Sequence, residues 1–221
     1  MSTPPVEIDL EECIQALAKV GVPPAEALAR YMKLLLEWNE KINLTGAKNP
    51  EELAVKHIAD VWAALNVLGR PTGRVVDVGS GGGIPGIIIA IMSPLTEVVL
   101  VERRQKKAGV LAKIVEELGL SERVQVVSRS FEEVKGLHRD SEYWFRGFLP
   151  GPKFAAYLSE FFPRADLGQI VLMKGPAWPN EKLEIMGQQK IKQDWKERFA
   201  GAGELSYSLP QDAGERLLVL V

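Results

Sequence analysis

Cysteine and histidine are nearly absent: Cys13, His57 and His138 are the only such side chains in 221 residues. A lone thiol closes no intramolecular disulfide, and donors this scattered form no zinc cluster, so a reducing compartment and no bound metal are expected. Long apolar runs are also missing. No stretch approaches the roughly 20 residues that a helix needs to cross a bilayer, and residues 1–7 have neither the basic start nor the apolar centre of a signal peptide. A cytoplasmic location and no membrane partner are expected. Nor is one charge in excess: the formal net charge is −2, which gives no global reason to expect a polyanion. The chain does have apolar content, 46% of its residues, enough over this length to bury one large core with a helical extension. A monomer is expected.

The most informative segment is Val75–Gly86, Val-Val-Asp-Val-Gly-Ser-Gly-Gly-Gly-Ile-Pro-Gly, where a β-branched run stops at a glycine loop and the apolar stretch Ile87–Met92 follows. Strand, tight turn and helix start, in that order, lay a backbone against a ligand. Gly79, Gly81 and Gly83 permit positive φ and remove the Cβ atoms that would hold a ligand away, and the next helix offers free N–H groups. Gly81, Gly83 and Gly86 also satisfy the dinucleotide fingerprint, so the glycines alone leave the ligand open. Asp77 discriminates better. Dinucleotide sites keep that strand-end position apolar because the strand is buried on both faces. A carboxylate there suits the ammonium and sulfonium of S-adenosylmethionine, acting directly, through water or by holding the loop. Glu102 ends the next strand 23 residues beyond Gly79, where a carboxylate can accept both ribose hydroxyls in either cofactor class. Together the two acids favour a methyl donor. Arg103, Arg104, Lys106 and Lys107 follow directly, with Lys113 further along the same helix. Such a cluster beside a cofactor cleft is a candidate for binding RNA phosphates; a solvated first turn is the alternative.

Around this loop the pattern is α/β. Within 24–38, Leu28, Tyr31, Met32, Leu35 and Trp38 form one helical stripe; within 50–68, Ile58, Val61, Trp62, Leu65 and Leu68 form another, with Asn49 as cap and Pro50 at the first helical position. These stripes predict an N-terminal helical subdomain, 1–70, resting on a cofactor-binding domain, 71–221. Strands are expected at 74–78, 97–101, 124–128, 142–145 and 169–173, and helices at 85–93, 105–119, 131–135, 152–162 and 181–199. Residues 205–208 and 216–221 read as strands too close in sequence for a parallel crossover, so they pair antiparallel. The expected fold class is α/β: a doubly wound, Rossmann-like, mostly parallel sheet with an antiparallel last strand, as in class I S-adenosylmethionine-dependent methyltransferases.

Four segments resemble the RsmG (glucose-inhibited division protein B, GidB) family. They are Trp38–Thr45 with His57 and Asp60; Asp77–Gly86, whose Pro85-Gly86 is typical of that family; Ser128–Glu133; and Gly214–Val219. The resemblance implies methylation of guanine N7 in bacterial 16S ribosomal RNA by S-adenosyl-L-methionine, with 16S rRNA or the small ribosomal subunit as partner. It also implies that Gly79, Ile84, Phe131, Glu132 and Arg146 contact the cofactor, to which the reading of the residues themselves adds Asp77, Gly81, Gly83 and Glu102. The chain departs from the family at Glu142–Gly147, where aromatic bulk replaces small residues around Arg146. Two further readings follow from that departure. One is a methyltransferase of the same fold acting on another RNA or a small molecule; the other is a non-catalytic RNA- or ribosome-binding descendant whose pocket is blocked by Trp144 or Phe145.

Guanine N7 carries a lone pair and no proton, so no general base is needed, and catalysis can rest on positioning, which is worth roughly 7–11 kcal/mol. Neither the Asn/Asp-Pro-Pro-Tyr/Phe tetrapeptide of exocyclic-amine methylases nor a Pro-Cys nucleophile is present. No catalytic side chain is therefore expected, and Arg146, Lys174 and the cations at 103–107 are the candidate RNA contacts. Arg146 also reads as a structural ion pair, and Lys174 as plain surface. His57, three residues from Asp60, is expected to be a hydrogen-bonded structural histidine.

Overall fold

The computed structural model describes residues 8–23, 25–136, 138–163 and 166–221. Residues 1–7 and 24, where the expected subdomain and the first stripe begin, lie outside them. The apolar runs form β1 (Arg74–Val78), β2 (Glu97–Val101), β3 (Val124–Val127), β4 (Ser141–Arg146) and β5 (Gln169–Lys174), followed by β6 (Gly203–Ser208) and β7 (Glu215–Leu220). They make one sheet in the order β3-β2-β1-β4-β5-β7-β6. β1 to β5 are parallel, and β7 runs antiparallel to both β5 and β6, as the short β6–β7 connection requires. Strand order reverses between β1 and β4, so a crevice opens at their C-terminal ends, where open α/β sheets hold ligands.

One face of the sheet is covered by α1 (Leu10–Lys19), α2 (Glu26–Asn39), α3 (Pro50–Leu53), α4 (Ala59–Leu68), α5 (Gly86–Met92) and α6 (Gln105–Glu117). The other is covered by α7 (Gly151–Phe161), α8 (Trp178–Gly187) and α9 (Gln193–Ala200). Alternation along β1 sends Val75 into the first core and Val76 and Val78 into the second. The N-terminal helices have no core of their own. Cys13, Leu28, Met32, Ile58 and Leu65 belong to the same apolar cluster as Ile87, Leu100, Leu111 and Trp144. Cys13 is fully buried there, and burial pushes its thiol up to about 11, which leaves it inert.

Three helical spans differ from expectation, the one at 131–135 being only a 3-10 turn, Phe131–Glu133. Residues 50–68 are helical throughout, but Ala54–Ile58 widen into a π turn between α3 and α4. Residues 181–199 are two helices, α8 and α9, and α8 begins earlier, at Trp178. The break follows from the apolar spacing: Ile185 and Ile191 are both buried, yet six residues on a 3.6-residue helix leave them about 120° apart. The chain must leave the helix to bury both. α1, which the two stripes did not specify, is marked by Asp9, whose side chain accepts the Glu11 N–H as its cap.

Two buried carboxylates fix the layers to one another. Asp77 is 1% exposed, and its Oδ2 accepts the Gly86 N–H at 2.9 Å, tying the end of β1 to the first turn of α5. Only glycine fits at 86, because an added Cβ would lie 2.3 Å from Leu100 Cδ2 and 2.8 Å from that same Asp77 oxygen. Burial outweighs the Gly86 hydrogen bond and the Arg146 charge, and pushes the Asp77 carboxyl up to about 7. Asp60, 3% exposed, accepts from Arg146 Nε at 3.0 Å and from the Tyr207 hydroxyl at 2.8 Å, joining α4, β4 and β6. Arg146 Nη2 also donates to the Lys56 carbonyl at 3.0 Å, inside the π turn.

Both contacts give stability predictions. The Asp77 carboxyl ionises near 3.8 when unfolded and at about 7 when folded, so the folded state holds the extra proton between those values and loses stability as pH rises through them. Asp77→Asn keeps an acceptor for Gly86 and removes the titration. Its urea midpoint should gain on the wild type from pH 5 to pH 8, and a difference independent of pH would refute the assignment. Tyr207→Phe leaves the Asp60–Arg146 pair and should cost about 1.5–3 kcal/mol. Asp60→Ala strands both the guanidinium and the hydroxyl and should cost about 3–5 kcal/mol in the same titrations; equal losses would show that the ion pair adds nothing to the hydroxyl contact.

Candidate active site

A cavity of about 440 Å³ opens where β1, β2 and β4 end, lined by residues that include Gly79, Gly81, Glu102, Phe131, Glu132 and Phe148. Its floor is the glycine loop. Gly79 and Ser80 both donate N–H groups to the Val101 carbonyl, at 2.8 and 3.1 Å, and the Ser80 hydroxyl donates to the Asp77 carbonyl at 2.9 Å. From the helical side, the buried Tyr31 hydroxyl donates to the Gly82 carbonyl at 2.9 Å. Gly79 has φ +75°, and a Cβ there would lie 2.8 Å from Phe148 Cδ2, so glycine is required for both backbone and space.

Glu102 is the polar centre of the cavity wall. It is 7% exposed, and its Oε2 accepts the Gly81 N–H at 3.1 Å while Oε1 accepts the Arg104 N–H at 2.8 Å. A carboxylate has about four lone-pair positions, so each oxygen retains one for a ligand hydroxyl. Phe131 and Glu132 arrive on a 3-10 turn closed by a reciprocal Ser130–Glu133 capping box. Glu132 Oε2 accepts the Tyr157 hydroxyl of α7 at 2.6 Å. Burial first, then the Glu132 hydrogen bond and charge, raises the pKa of that hydroxyl, which therefore stays a donor. Glycine backbone, a hydroxyl-accepting carboxylate and an aromatic wall suit a ligand with a ribose and a flat base.

Of the positions singled out in the sequence, Gly79, Gly81, Glu102, Phe131 and Glu132 meet at this cavity, with Arg103, Arg104 and Lys107 among its lining residues. Asp77, Gly83, Ile84, Arg146 and Lys174 are not among them. Asp77 takes the loop-holding role through Gly86. The missing Cβ of Gly83 would lie 2.5 Å from Ile87 Cδ1, and Ile84 is buried. Arg146 is engaged by Asp60 and Lys56. Lys174 pairs with Glu181 at 2.7 Å and lies over the Trp178 ring. Trp144 and Phe145 point into opposite cores, so neither blocks the cavity. The aromatic ring against the glycine loop is instead Phe148, and its place just beyond β4, at the ligand-binding edge of a parallel sheet, was a usable signal. Tyr157 offered none. His57 bonds the Thr45 hydroxyl at 3.1 Å rather than Asp60; burial, then the Arg146 and Lys56 charges, pushes its pKa down to about 4, so it is neutral.

The family model described as GidB, rRNA small subunit methyltransferase G, matches residues 24–202. A Chromobacterium violaceum protein named ribosomal RNA small subunit methyltransferase G is 35% identical over 181 residues, 80% of this chain and 84% of its own. A Nitrosospira multiformis protein of the same name is 33% identical over 214 residues, 93% of each chain. Among solved structures, the pyocyanin biosynthetic protein PhzM superposes with a TM-score of 0.55 at 17% identity, covering 83% of this chain and 60% of its own. MtNAS in complex with MTA and tNA gives a TM-score of 0.51 at 14% identity, covering 96% and 81%. These structural likenesses bear on the fold alone, and with the strand order they make it that of the class I S-adenosylmethionine-dependent methyltransferases. On the matched span and the relatives' identity, the chain belongs to the rRNA small subunit methyltransferase G (GidB) family.

Proposed function

We propose that the protein transfers the methyl group of S-adenosyl-L-methionine to N7 of a guanine in small-subunit ribosomal RNA. Glu102 carries this reading: a buried carboxylate, oriented by two backbone N–H groups, with one acceptor position left on each oxygen in a cavity of nucleoside size. Gly79 and Gly81 would meet the methionine portion, Glu102 the ribose hydroxyls, and Phe131 with Glu132 the adenine. Bound there, the cofactor supplies an electrophilic methyl on a sulfonium. The protein's own part is orientation and exclusion of water. Glu102 and Glu132 are each already accepting hydrogen bonds, and a reaction at N7 asks neither of them to remove a proton. Arg146, held from two sides, is assigned the positioning of the β4 end and of the Gly147–Leu149 segment that lines the cavity.

N7 lies on an edge that a side chain cannot reach inside an A-form helix, so the target guanine is unpaired or extruded. The cations at 103–107 supply phosphate contacts, the helices α1 to α4 form the substrate-side layer, and an rRNA substrate implies a cytoplasmic location. Glu102→Gln replaces one acceptor by a donor, and calorimetry should read about 10- to 100-fold weaker S-adenosylmethionine binding, the loss of hydrogen bonds to a charged group. Mass analysis of 16S rRNA from a deletion strain should lack one N7-methylguanine. Survival of every N7 methyl defeats the proposed reaction.

A further inference from the structure

We infer that a second cleft, between the N-terminal helical layer and the start of α6, holds the single-stranded RNA segment next to the target nucleotide. This rests on the rRNA reading above. The cleft has a volume of about 660 Å³; Ile42–Gly46 form one wall and Arg104–Lys107 the other. Arg104 and Lys107 line both this cleft and the cofactor cavity, so a strand lying in it reaches the place where the base would be methylated.

The wall at Ile42–Gly46 is built in place. Asn39 Oδ1 accepts the N–H groups of Leu44 and Thr45 at 2.8 and 2.9 Å, and the Thr45 hydroxyl accepts the Ala47 N–H at 3.2 Å. The Leu44 carbonyl lies 3.2 Å from where a Gly82 Cβ would be, so this wall rests on the glycine loop itself. The Asn43 side chain is exposed and makes no hydrogen bond among the described residues. The opposite wall is cationic: among the described residues, Arg103, Arg104, Lys106 and Lys107 have no ion-pair partner. Below the cleft the charge continues, with the Lys41 and Lys113 ammoniums 5.1 and 5.0 Å from the Trp38 ring centroid. Lys106 and Lys113 lie on one face of α6, about 10 Å apart along its axis. Among the described residues six cations without an ion-pair partner therefore lie at the start of α6 and about Trp38, in a chain of net charge −2, and Arg104 and Lys107 carry that charge to the cofactor cavity. Their mutual repulsion is relieved by a polyanion running along them. In an A-form duplex the most informative base edges lie in a deep, narrow major groove that a side chain such as Asn43 cannot enter, whereas an unpaired strand presents them.

Lys106 and Asn43 line this cleft and not the cofactor cavity, which separates the two sites experimentally. Binding of transcribed 16S rRNA would be measured across a potassium chloride series for the wild type, Lys106→Ala and Asn43→Ala, beside calorimetry with S-adenosylmethionine. Lys106→Ala should lower the slope of log K against log salt by about 0.7, the value for one phosphate of a single strand. Asn43→Ala should weaken binding several-fold at unchanged slope, and both variants should bind the cofactor as the wild type does. If both variants bind RNA normally while the wild type methylates rRNA, the cleft is not the strand path and the phosphate contact assigned to Lys106 falls with it, while the proposed methyl transfer stands. A wild type that neither binds nor methylates the rRNA overturns both.

Discussion

The hydrogen bond from Gly86 N–H to Asp77 holds together the end of β1, the glycine loop and the first turn of α5. It forms away from water, where an unmatched carboxylate would be costly and where a donor left alone would also be costly. Each partner therefore constrains the other. With β1 and α5 joined, Gly79 and Ser80 fall under the Val101 carbonyl and Gly81 under Glu102, so the cavity wall inherits its position from a contact outside the cavity's lining.

The N-terminal helices belong to the same construction. Tyr31 holds Gly82 from above, Asn39 folds the segment resting on that loop, and Asp60 takes the arginine at the end of β4. Their apolar side chains share the core of α5 and α6. Removing this layer would expose one face of the α/β unit and release the Tyr31–Gly82 and Arg146–Asp60 contacts.

Much of this was readable in the amino-acid order because its signals are local. Buried parallel strands are continuous apolar runs, so β1 to β5 stand out, and the short link from β6 to β7 dictated their antiparallel pairing. Glu102 was found from its spacing to Gly79. What resisted reading depends on partners distant in sequence. An ion pair was one reading of Arg146, but its partner was not: Arg146 meets Asp60 across 86 residues and Tyr207 meets Asp60 across 147, so neither that partner nor the joining of three elements has a local trace. The hydrogen bond of Asp77 to Gly86, nine residues on, appears only once the loop is folded back on β1. The span 181–199 looked like one charged helix because composition does not reveal that Ile185 and Ile191 must face the same core.

The ring of Phe148 occupies the space that any side chain at residue 79 would need. The two positions thus divide a single volume, and the division is all or nothing: a methyl at 79 and an aromatic ring at 148 cannot coexist in this packing. A smaller residue at 148 would free the space but not the φ of +75° at 79, so glycine is held there on two counts. The ring just beyond β4 is in that sense licensed by the bareness of the first glycine, and the outline of the cavity is the joint property of both.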